Sequence, residues 1–407
     1  MMVLYLDRWA RHSLESHYYP ISTHLAEKEI KSKFLHFGSV FDEEYIDKNE
    51  DNVIDVSFFK RKDRNAKSII QLLKPDLVLF SGPINQPIFQ SFIHVCQKQQ
   101  IPIGWIQYGN VIIKGSKDLN GMVKHSKFSE VINNISYSLV FLISSYIRTG
   151  RIFLMFRMLY NYFLAFLRFR SDYARIILDF ILRPDFAIIF NSETRYKLRP
   201  LKIEREYICG NPFIEFDDSL DPYNFDPENR KALIIVQPFY ETGIVRNLEW
   251  LVSQYIQIIE SLLKFNFDVV VKLHPLSSNE FEEILATRDC LIVRKGALQK
   301  LIAESNIVIG VSSTVLLSSI FLRKTTILTS WFAPDHLKGV GFSNFDVFDI
   351  CHNINDFEQF LRDSVDFTID EIKREEFIEK FIGPASGIES IKRISQALQT
   401  EITLKSD

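Results

Sequence analysis

The sequence contains few cysteines, and none of them form a pair at metal-ligand spacing. Its four cysteines are separated by long intervals, without any C-x-x-C pair, and they are Cys96, Cys209, Cys290 and Cys351. This distribution argues against a zinc site or a disulfide framework and is typical of proteins in a reducing compartment. The net charge of −3 also gives no global attraction to nucleic acid.

A leader segment and the common nucleotide-binding signatures are also missing. The first seven residues begin with an apolar strand pattern and lack the basic start, long apolar core and cleavage site of a signal peptide. The motif G-x-G-x-x-G does not follow the first strand, and G-x-x-x-x-G-K-S/T occurs nowhere. These absences predict a cytoplasmic protein and disfavour dinucleotide oxidoreductases and P-loop enzymes.

What is present is a globular composition in which strands and helices alternate. Hydrophobic residues make up 46% and charged residues 24% of 407 residues, a length that fits two domains. In the first half, we predict helices over 66–73 and 90–99 and strands over 3–6, 34–37, 76–80, 101–107 and 186–190. This alternation predicts parallel βαβ units with right-handed crossovers.

The second half repeats the alternation more clearly. Strands are predicted over 232–237, 268–273, 290–293, 306–311 and 325–328, the last of which closes the series. The helices between them are predicted over 248–265, 279–286, 297–304 and 315–322. We therefore predict an α/β protein with two Rossmann-like domains, over 1–215 and 231–383, a polar linker over 216–230, and a terminal helix and tail over 384–407.

Residues 134–183 interrupt the alternation with an aromatic, arginine-rich stretch. Its longest uncharged apolar run is shorter than the roughly 20 residues of a spanning helix. One interpretation is a helical insertion in the first domain, with arginine stems lying along apolar surface. The other is an amphipathic surface that contacts anionic lipid on the inner face of the cytoplasmic membrane, since acidic residues are almost absent there.

Polar residues follow two predicted strands of the second half, where parallel sheets bind ligands. Ser312, Ser313 and Thr314 lie between a strand and a helix, so hydroxyls and free backbone N–H groups could hold a phosphate. A simple helix cap is the alternative. His274 and Pro275 follow the strand that contains Lys272, and a histidine there can donate to a phosphate oxygen. Together the two motifs predict a nucleotide-phosphate site.

Other strand ends supply candidates for the acceptor side and for a base. Glu241 lies in the loop after the first strand of the second domain and could take a proton from a hydroxyl, as a general base does. An exposed loop acid is the alternative. In the first domain, Asp7 and Arg8 end one strand, and Gln107 and Tyr108 end another. We expect these four residues to line the opposite wall of a cleft.

The spacing of 237–243, 272–275 and 312–314 resembles the GT-B glycosyltransferases that build bacterial capsule and lipopolysaccharide. It is most similar to the CMP-sugar users among them: sialyltransferases, polysialyltransferases and Kdo transferases. Those families carry an acidic-acidic-Gly motif, a His-Pro motif and a Ser-Ser/Thr motif in this order. The chain departs from the pattern at Thr242, which replaces the second acid, and at Tyr108, which replaces the histidine of a Gln-His-Gly turn.

The resemblance implies two Rossmann-like domains facing across a cleft and inverting transfer of a sugar from a CMP-linked donor to a glycan or glycolipid. It implies that Glu241 is the general base and that His274 helps the nucleotide leave. Lys272, Pro275, Ser312, Ser313 and Thr314 would complete the donor site. It also implies that neither a metal nor a cofactor is needed, because the nucleotide-sugar is a substrate and no D-x-D motif is present.

Three other functions stay open at the level of sequence. A CDP-polyol phosphotransferase of wall polymer synthesis would have the same fold but usually carries more basic residues near the donor than Lys272 alone. A sugar-nucleotide 2-epimerase would need further carboxylates near Ser312. A non-catalytic scaffold for polysaccharide assembly would use residues 134–183 at the membrane.

Overall fold

The computed structural model describes the chain in segments. These are residues 1–7, 18–37, 52–56, 59–81, 84, 86–107, 140–167, 182–214, 230–241, 243, 245–296, 298–311, 313, 315–329, 331–332, 346–364 and 367–404. The chain divides into two compact units. The first unit comprises Met1–Asn120, Ser126–Glu215 and Phe381–Asp407, and the second comprises Gly121–His125 and Phe216–Lys380. The predicted linker over 216–230 lies outside the described residues except for Arg230.

The first unit is built on a parallel sheet of seven strands in the order β3-β2-β1-β4-β5-β6-β7. The strands are β1 (Met2–Asp7), β2 (Lys31–His36), β3 (Val53–Asp55), β4 (Leu77–Ser81), β5 (Ile103–Ile106), β6 (Phe186–Ile189) and β7 (Arg205–Ile208). Both faces of the sheet are buried, since Leu4 and Leu6 of β1 belong to one apolar cluster and Val3 and Tyr5 belong to another. Helices on both faces of a parallel sheet are the Rossmann arrangement.

The helices of the first unit are α1 (Tyr19–Ala26), α2 (Ala66–Leu73), α3 (Pro87–Lys98), α4 (Ile152–Leu167), α5 (Ser192–Leu198) and, at the end of the chain, α12 (Gly387–Leu404). A further helical segment covers 140–148. The predicted helical insertion in the first domain is therefore present over 140–167, and the rest of 134–183 lies outside the described residues except for Leu182 and Arg183.

The second unit contains six parallel strands in the order β10-β9-β8-β11-β12-β13. They are β8 (Lys231–Ile235), β9 (Asp268–Lys272), β10 (Leu291–Val293), β11 (Ile307–Gly310), β12 (Thr325–Thr329) and β13 (Asp349–Cys351). The helices are α6 (Leu248–Lys264), α7 (Asn279–Leu285), α8 (Leu298–Ala303), α9 (Val315–Phe321), α10 (Ile354–Asp363) and α11 (Glu371–Phe381).

The predicted α/β fold with two Rossmann-like domains is confirmed by these two sheets. The prediction that the strand over 325–328 closes the second sheet is wrong, because β13 pairs with β12 from Ile327 opposite Asp349 to Thr329 opposite Cys351. β13 has only three residues, which run from exposed Asp349 to buried Cys351, so it lacks the continuous apolar run by which the buried strands are recognised.

The terminal helix α12 belongs to the first unit. Leu398 packs in the same apolar cluster as Tyr5 of the central strand. The buried carboxylate of Glu401 accepts hydrogen bonds from Nε of Arg205 at 2.7 Å and from the hydroxyl of Tyr207 at 2.7 Å. Both partners lie on the edge strand β7, so the last segment of the chain covers the sheet formed by the first half.

Candidate functional site

The strand order of the second unit brings three loops to one edge of its sheet. β8 lies between β9 and β11, and all three strands are parallel. The loops that begin at Val236, Leu273 and Val311 therefore leave the sheet at the same edge. The chain changes direction across the sheet between β8 and β11, which is the position where open parallel sheets bind ligands.

His274 is held in a defined tautomer within the second of these loops. The backbone N–H of Leu276 donates to Nδ1 of His274 over 3.1 Å. A ring nitrogen that accepts a hydrogen bond carries no proton, so the neutral imidazole is protonated at Nε2. Burial lowers the pKa of His274, the Glu241 carboxylate opposes this shift, and Lys272 adds to it. His274 is therefore neutral at pH 7 and offers its Nε2–H as a donor.

Glu241 connects the first loop to the second. Its Oε1 accepts a hydrogen bond of 2.7 Å from the backbone N–H of Ser278. Ser278 is the N-cap of α7, where its own hydroxyl accepts from the N–H of Phe281. Among the described residues, Ser278 is the one hydrogen-bond partner of this carboxylate. The half-buried Glu241 is thus fixed near His274, with its second oxygen unbonded within the described part of the chain.

Arg294, which the sequence analysis did not single out, holds the loop that carries His274. Its guanidinium donates to the carbonyl of Ser277 at 2.6 Å, to that of Ser278 at 3.4 Å, and to Oε2 of Glu282 at 2.9 and 2.6 Å. Arginine is suited to this task because its planar fork presents several donors in fixed directions. The available sequence signal was its position directly after a predicted strand.

Lys272 is close to His274 but is engaged with the backbone. Its ammonium donates to the carbonyl of Leu273 at 3.1 Å and to that of Arg294 at 2.8 Å. Burial lowers the pKa of Lys272, and the charge of Arg294 lowers it further. These contacts tie the ends of β9 and β10 together. Its assignment as a donor-site residue stays a prediction.

The third loop is described only in part. Ser313 is half-buried, and its Oγ accepts from the backbone N–H of Val315 at 3.3 Å, so it caps the start of α9. Ser312 and Thr314 lie outside the described residues. Pro275 is exposed at the turn after His274. Their phosphate-binding roles stay predictions. Within the described residues, no cluster of histidine, cysteine and carboxylate side chains is arranged to hold a metal ion.

Of the candidates in the first unit, Gln107 has a structural contact. It is buried at the end of β5, and its Oε1 accepts from the backbone N–H of Phe190 at 2.7 Å, which ties β5 to the end of β6. Asp7 ends β1 and pairs in register with His36 of β2. Arg8 and Tyr108 lie outside the described residues. The acceptor-side assignment of these four residues stays a prediction.

The turn Gly210-Asn211-Pro212 contacts the segment near the end of the chain that enters α12. The backbone N–H of Asn211 donates to the carbonyl of Ala385 at 3.0 Å, and the hydroxyl of Ser390 donates to the carbonyl of Gly210 at 2.8 Å. Gly210 has a φ of +89°, and a Cβ there would lie 2.0 Å from the Ala385 oxygen. Glycine is required at this position by both conformation and space.

Comparison with known proteins identifies one matching family. Residues 186–331 match the family described as alpha-2,8-polysialyltransferase (POLYST). The matched segment runs from β6 through β12 and includes Glu241, His274, Arg294 and Ser313. No curated protein has significant sequence similarity to the chain.

Solved structures with the same fold include enzymes of two kinds. The calicheamicin glycosyltransferase CalG4 aligns with a TM-score of 0.56 and 9% identity over 99% of this chain and 98% of its own. The glycosyltransferase of kitacinnamycin aligns with a TM-score of 0.54 and 9% identity, over 98% of this chain and 99% of its own. The UDP-GlcNAc 2-epimerase of Methanocaldococcus jannaschii aligns with a TM-score of 0.51 and 12% identity, over 98% of this chain and 99% of its own. At these identities the likeness establishes the fold, which is that of the GT-B enzymes.

Proposed function

We propose that this protein is a glycosyltransferase that moves a sugar from a nucleotide-activated donor to a growing surface glycan. The observation that carries the proposal is the pair formed by His274 and Glu241. The neutral Nε2–H donor of His274 and the fixed carboxylate of Glu241 lie in neighbouring loops, at the edge where open parallel sheets bind ligands. Both residues lie in the segment that matches the polysialyltransferase family. The similarity of fold alone supports an epimerase equally well, and the family match favours transfer.

The proposed donor is a CMP-linked sugar, and the proposed reaction is a single displacement with inversion. Glu241 takes the proton of an acceptor hydroxyl as its oxygen attacks the anomeric carbon. The bond between that carbon and the phosphate oxygen breaks, and the phosphate leaves with both bonding electrons. The Nε2–H of His274 donates to the departing phosphate, where negative charge develops.

The rest of the proposed donor site comes from the sequence pattern. Ser312, Ser313 and Thr314 would supply further donors to the phosphate, with Lys272 contributing charge and Pro275 fixing the turn. We propose that these groups make a metal ion and a cofactor unnecessary. The proposed acceptor is a capsule or lipopolysaccharide glycan or a glycolipid.

The decisive experiment is nucleotide release from a panel of donors. The full chain is incubated with CMP-, CDP-, UDP- and GDP-sugars, with chelator present, and free nucleotide and sugar products are separated and identified. We expect release of CMP that increases when an oligosaccharide acceptor is added. Conversion of a UDP-sugar to its 2-epimer would replace the proposal with the epimerase, and release of CDP from a CDP-polyol would replace it with the phosphotransferase. No release from any donor would leave the scaffold as the better explanation.

A further inference from the structure

Helix α4 of the first unit exposes an apolar face. Ile152, Phe153, Phe156 and Tyr160 lie at helical spacing on one side, and Phe153, Phe156 and Tyr160 expose 85%, 61% and 60% of their surface. On a helix of 3.6 residues per turn these four positions fall within an arc of about 100°. Single exposed aromatic residues are common on folded domains and need no partner. A contiguous group of them marks a contact surface.

The opposite face of α4 is already buried. Met155 and Met158 pack against Leu142 and Tyr146 of the helical segment 140–148 in a small apolar cluster. The exposed aromatic residues therefore contribute nothing to the packing of this cluster. Among the described residues, no helix is long and apolar enough to cross a membrane.

The surroundings of this face are positively charged. Residues 140–167 contain three arginines, Arg148, Arg151 and Arg157, and no acidic residue. The ammonium groups of Lys67 and Lys98 donate to the carbonyls of Arg148 and Thr149, which adds two further cations beside the segment.

Two of these cations, Arg151 and Lys98, also lie close to His94 of α3. Its ring stacks on Tyr146 with centroids 4.2 Å apart. Burial lowers the pKa of His94 to about 4, with Arg151 and Lys98 adding to the shift. Burial is the main cause of this shift, and the smaller contributions of Arg151 and Lys98 are consistent with positive charge at this end of the helical segment.

We propose that the face of α4 formed by Ile152, Phe153, Phe156 and Tyr160 docks the protein on the surface of an anionic lipid bilayer. The aromatic rings would enter the interface between headgroups and acyl chains, while the exposed Arg151 at the start of α4 pairs with a lipid phosphate. A second copy of the chain is the poorer occupant, because 140–167 contains three arginines and no acidic residue, so two such segments would bring like charges together. This proposal is independent of the transferase reaction.

The test is sedimentation of the full chain with sucrose-loaded vesicles. One set is pure phosphatidylcholine, and the other is an equal mixture of phosphatidylcholine and phosphatidylglycerol. We expect binding to the mixed vesicles that salt weakens, and little binding to the neutral ones. The double variant Phe153→Ser/Phe156→Ser should bind at least about tenfold more weakly. Arg151→Gln should bind the mixed vesicles about fivefold more weakly than the wild type.

A matched control is the double variant Tyr196→Ser/Ile388→Ser. These two residues are also exposed on the first unit, with 65% and 58% of their surface accessible, but they lie outside α4. The control should bind vesicles like the wild type, and all variants should release nucleotide from the donor at the wild-type rate. Equal loss in the control, or equal binding to neutral vesicles, would overturn the proposal.

A second measurement uses a variant that keeps an aromatic residue on this face. Phe153→Trp should show a blue-shifted emission with mixed vesicles and stronger quenching by brominated lipids than the wild type, whose own tryptophans supply the baseline. Unchanged emission would overturn the docking face. A dimer in solution that becomes monomeric in Phe153→Ser/Phe156→Ser, without vesicle binding by the wild type, would assign the face to self-association.

Discussion

Individual side chains decide what the candidate site can do. The carboxylate of Glu241 accepts a hydrogen bond from the N–H of Ser278 and lies near His274, and we propose that it is also the general base. The structural contact does not conflict with a catalytic one, because a carboxylate has two oxygens and only Oε1 is engaged among the described residues. The same hydrogen bond would hold the second oxygen in place for an acceptor hydroxyl.

Glu241→Gln and His274→Ala should therefore differ in their kinetic effects. The glutamine keeps an oxygen for the Ser278 N–H but cannot take a proton, so turnover should fall about 10²–10⁴-fold with donor affinity retained. The alanine removes a phosphate donor, so turnover should fall about 10²–10³-fold and donor binding should weaken as well. Steady-state rates and donor titrations measure both.

Two exposed residues of the second unit serve as controls for these variants. Glu283 lies on α7 near the site, and His352 follows the far edge strand β13. Glu283→Gln and His352→Ala should keep wild-type rates. Unchanged turnover in Glu241→Gln would remove the base assignment, and unchanged affinity and turnover in His274→Ala would remove the phosphate site.

His94 predicts how stability depends on pH. Its pKa is about 4 in the folded protein and near 6.5 when unfolded, so between these values only the unfolded chain takes up a proton. The contribution of His94 to the free energy of unfolding is thus present above pH 6.5 and is lost as the pH falls toward 4. Urea unfolding of wild type and His94→Gln at pH 5 and pH 7.5 should show a smaller difference between the two pH values in the variant. Equal pH dependence would contradict the buried, neutral histidine.

At the scale of elements, short-range signals determine where helices begin. Asn65, Asn191, Asn247 and Asn353 each accept the backbone N–H three residues later and so cap α2, α5, α6 and α10. The predicted helix over 66–73 has the bounds of α2, and that over 248–265 exceeds α6 by one residue. Apolar spacing and a cap are both local, so the sequence displays them directly.

The junction between the turn at Gly210 and the returning chain predicts a specific intolerance. Gly210→Ala adds a Cβ that would lie 2.0 Å from the Ala385 oxygen, at a φ of +89°. Gly150→Ala is a matched control, because its φ is +74° and nothing lies within 4 Å of the added Cβ. We expect the control to lose about 1 kcal/mol from backbone strain and Gly210→Ala to lose about 3 kcal/mol or more. Urea unfolding measures both, and equal losses would show that the junction is not closely packed.

The whole molecule is assembled from segments that are distant in sequence. The second unit consists of one long stretch, Phe216–Lys380, together with the five residues Gly121–His125. The first unit also requires Phe381–Asp407 from the end of the chain. Removing that segment would expose the apolar cluster around Leu398 and would leave Arg205 without its carboxylate partner.

Fragments should therefore fold unequally. A fragment of 216–380 contains a complete sheet and core, and we expect a cooperative thermal transition by circular dichroism. A fragment of 1–215 should lack such a transition, and addition of a peptide of 381–407 should restore it in part. Cooperative unfolding of 1–215 by itself would contradict the assignment of α12 to the core of the first unit.

The sequence by itself determined the class of fold and the position of the candidate site. Buried parallel strands are continuous apolar runs, and the polar residues that follow them lie at the ligand-binding edge in any Rossmann-like sheet. The positions of Glu241, His274 and Ser313 beyond the ends of β8, β9 and β11 could be predicted for that reason, and their roles stay predictions. β13 could not, because three residues of mixed exposure carry no periodic signal.

Only the tertiary structure decided which partners these side chains have. In the folded chain, Lys272 donates to two backbone carbonyls, Arg294 holds the loop that carries His274, and Gln107 joins β5 to the end of β6. The tertiary structure also placed α12 against the first sheet. Periodicity reports the exposure of a residue within its own element. A hydrogen bond between residues of different strands or helices depends on which elements pack together in the folded chain, and a local sequence pattern does not contain that information.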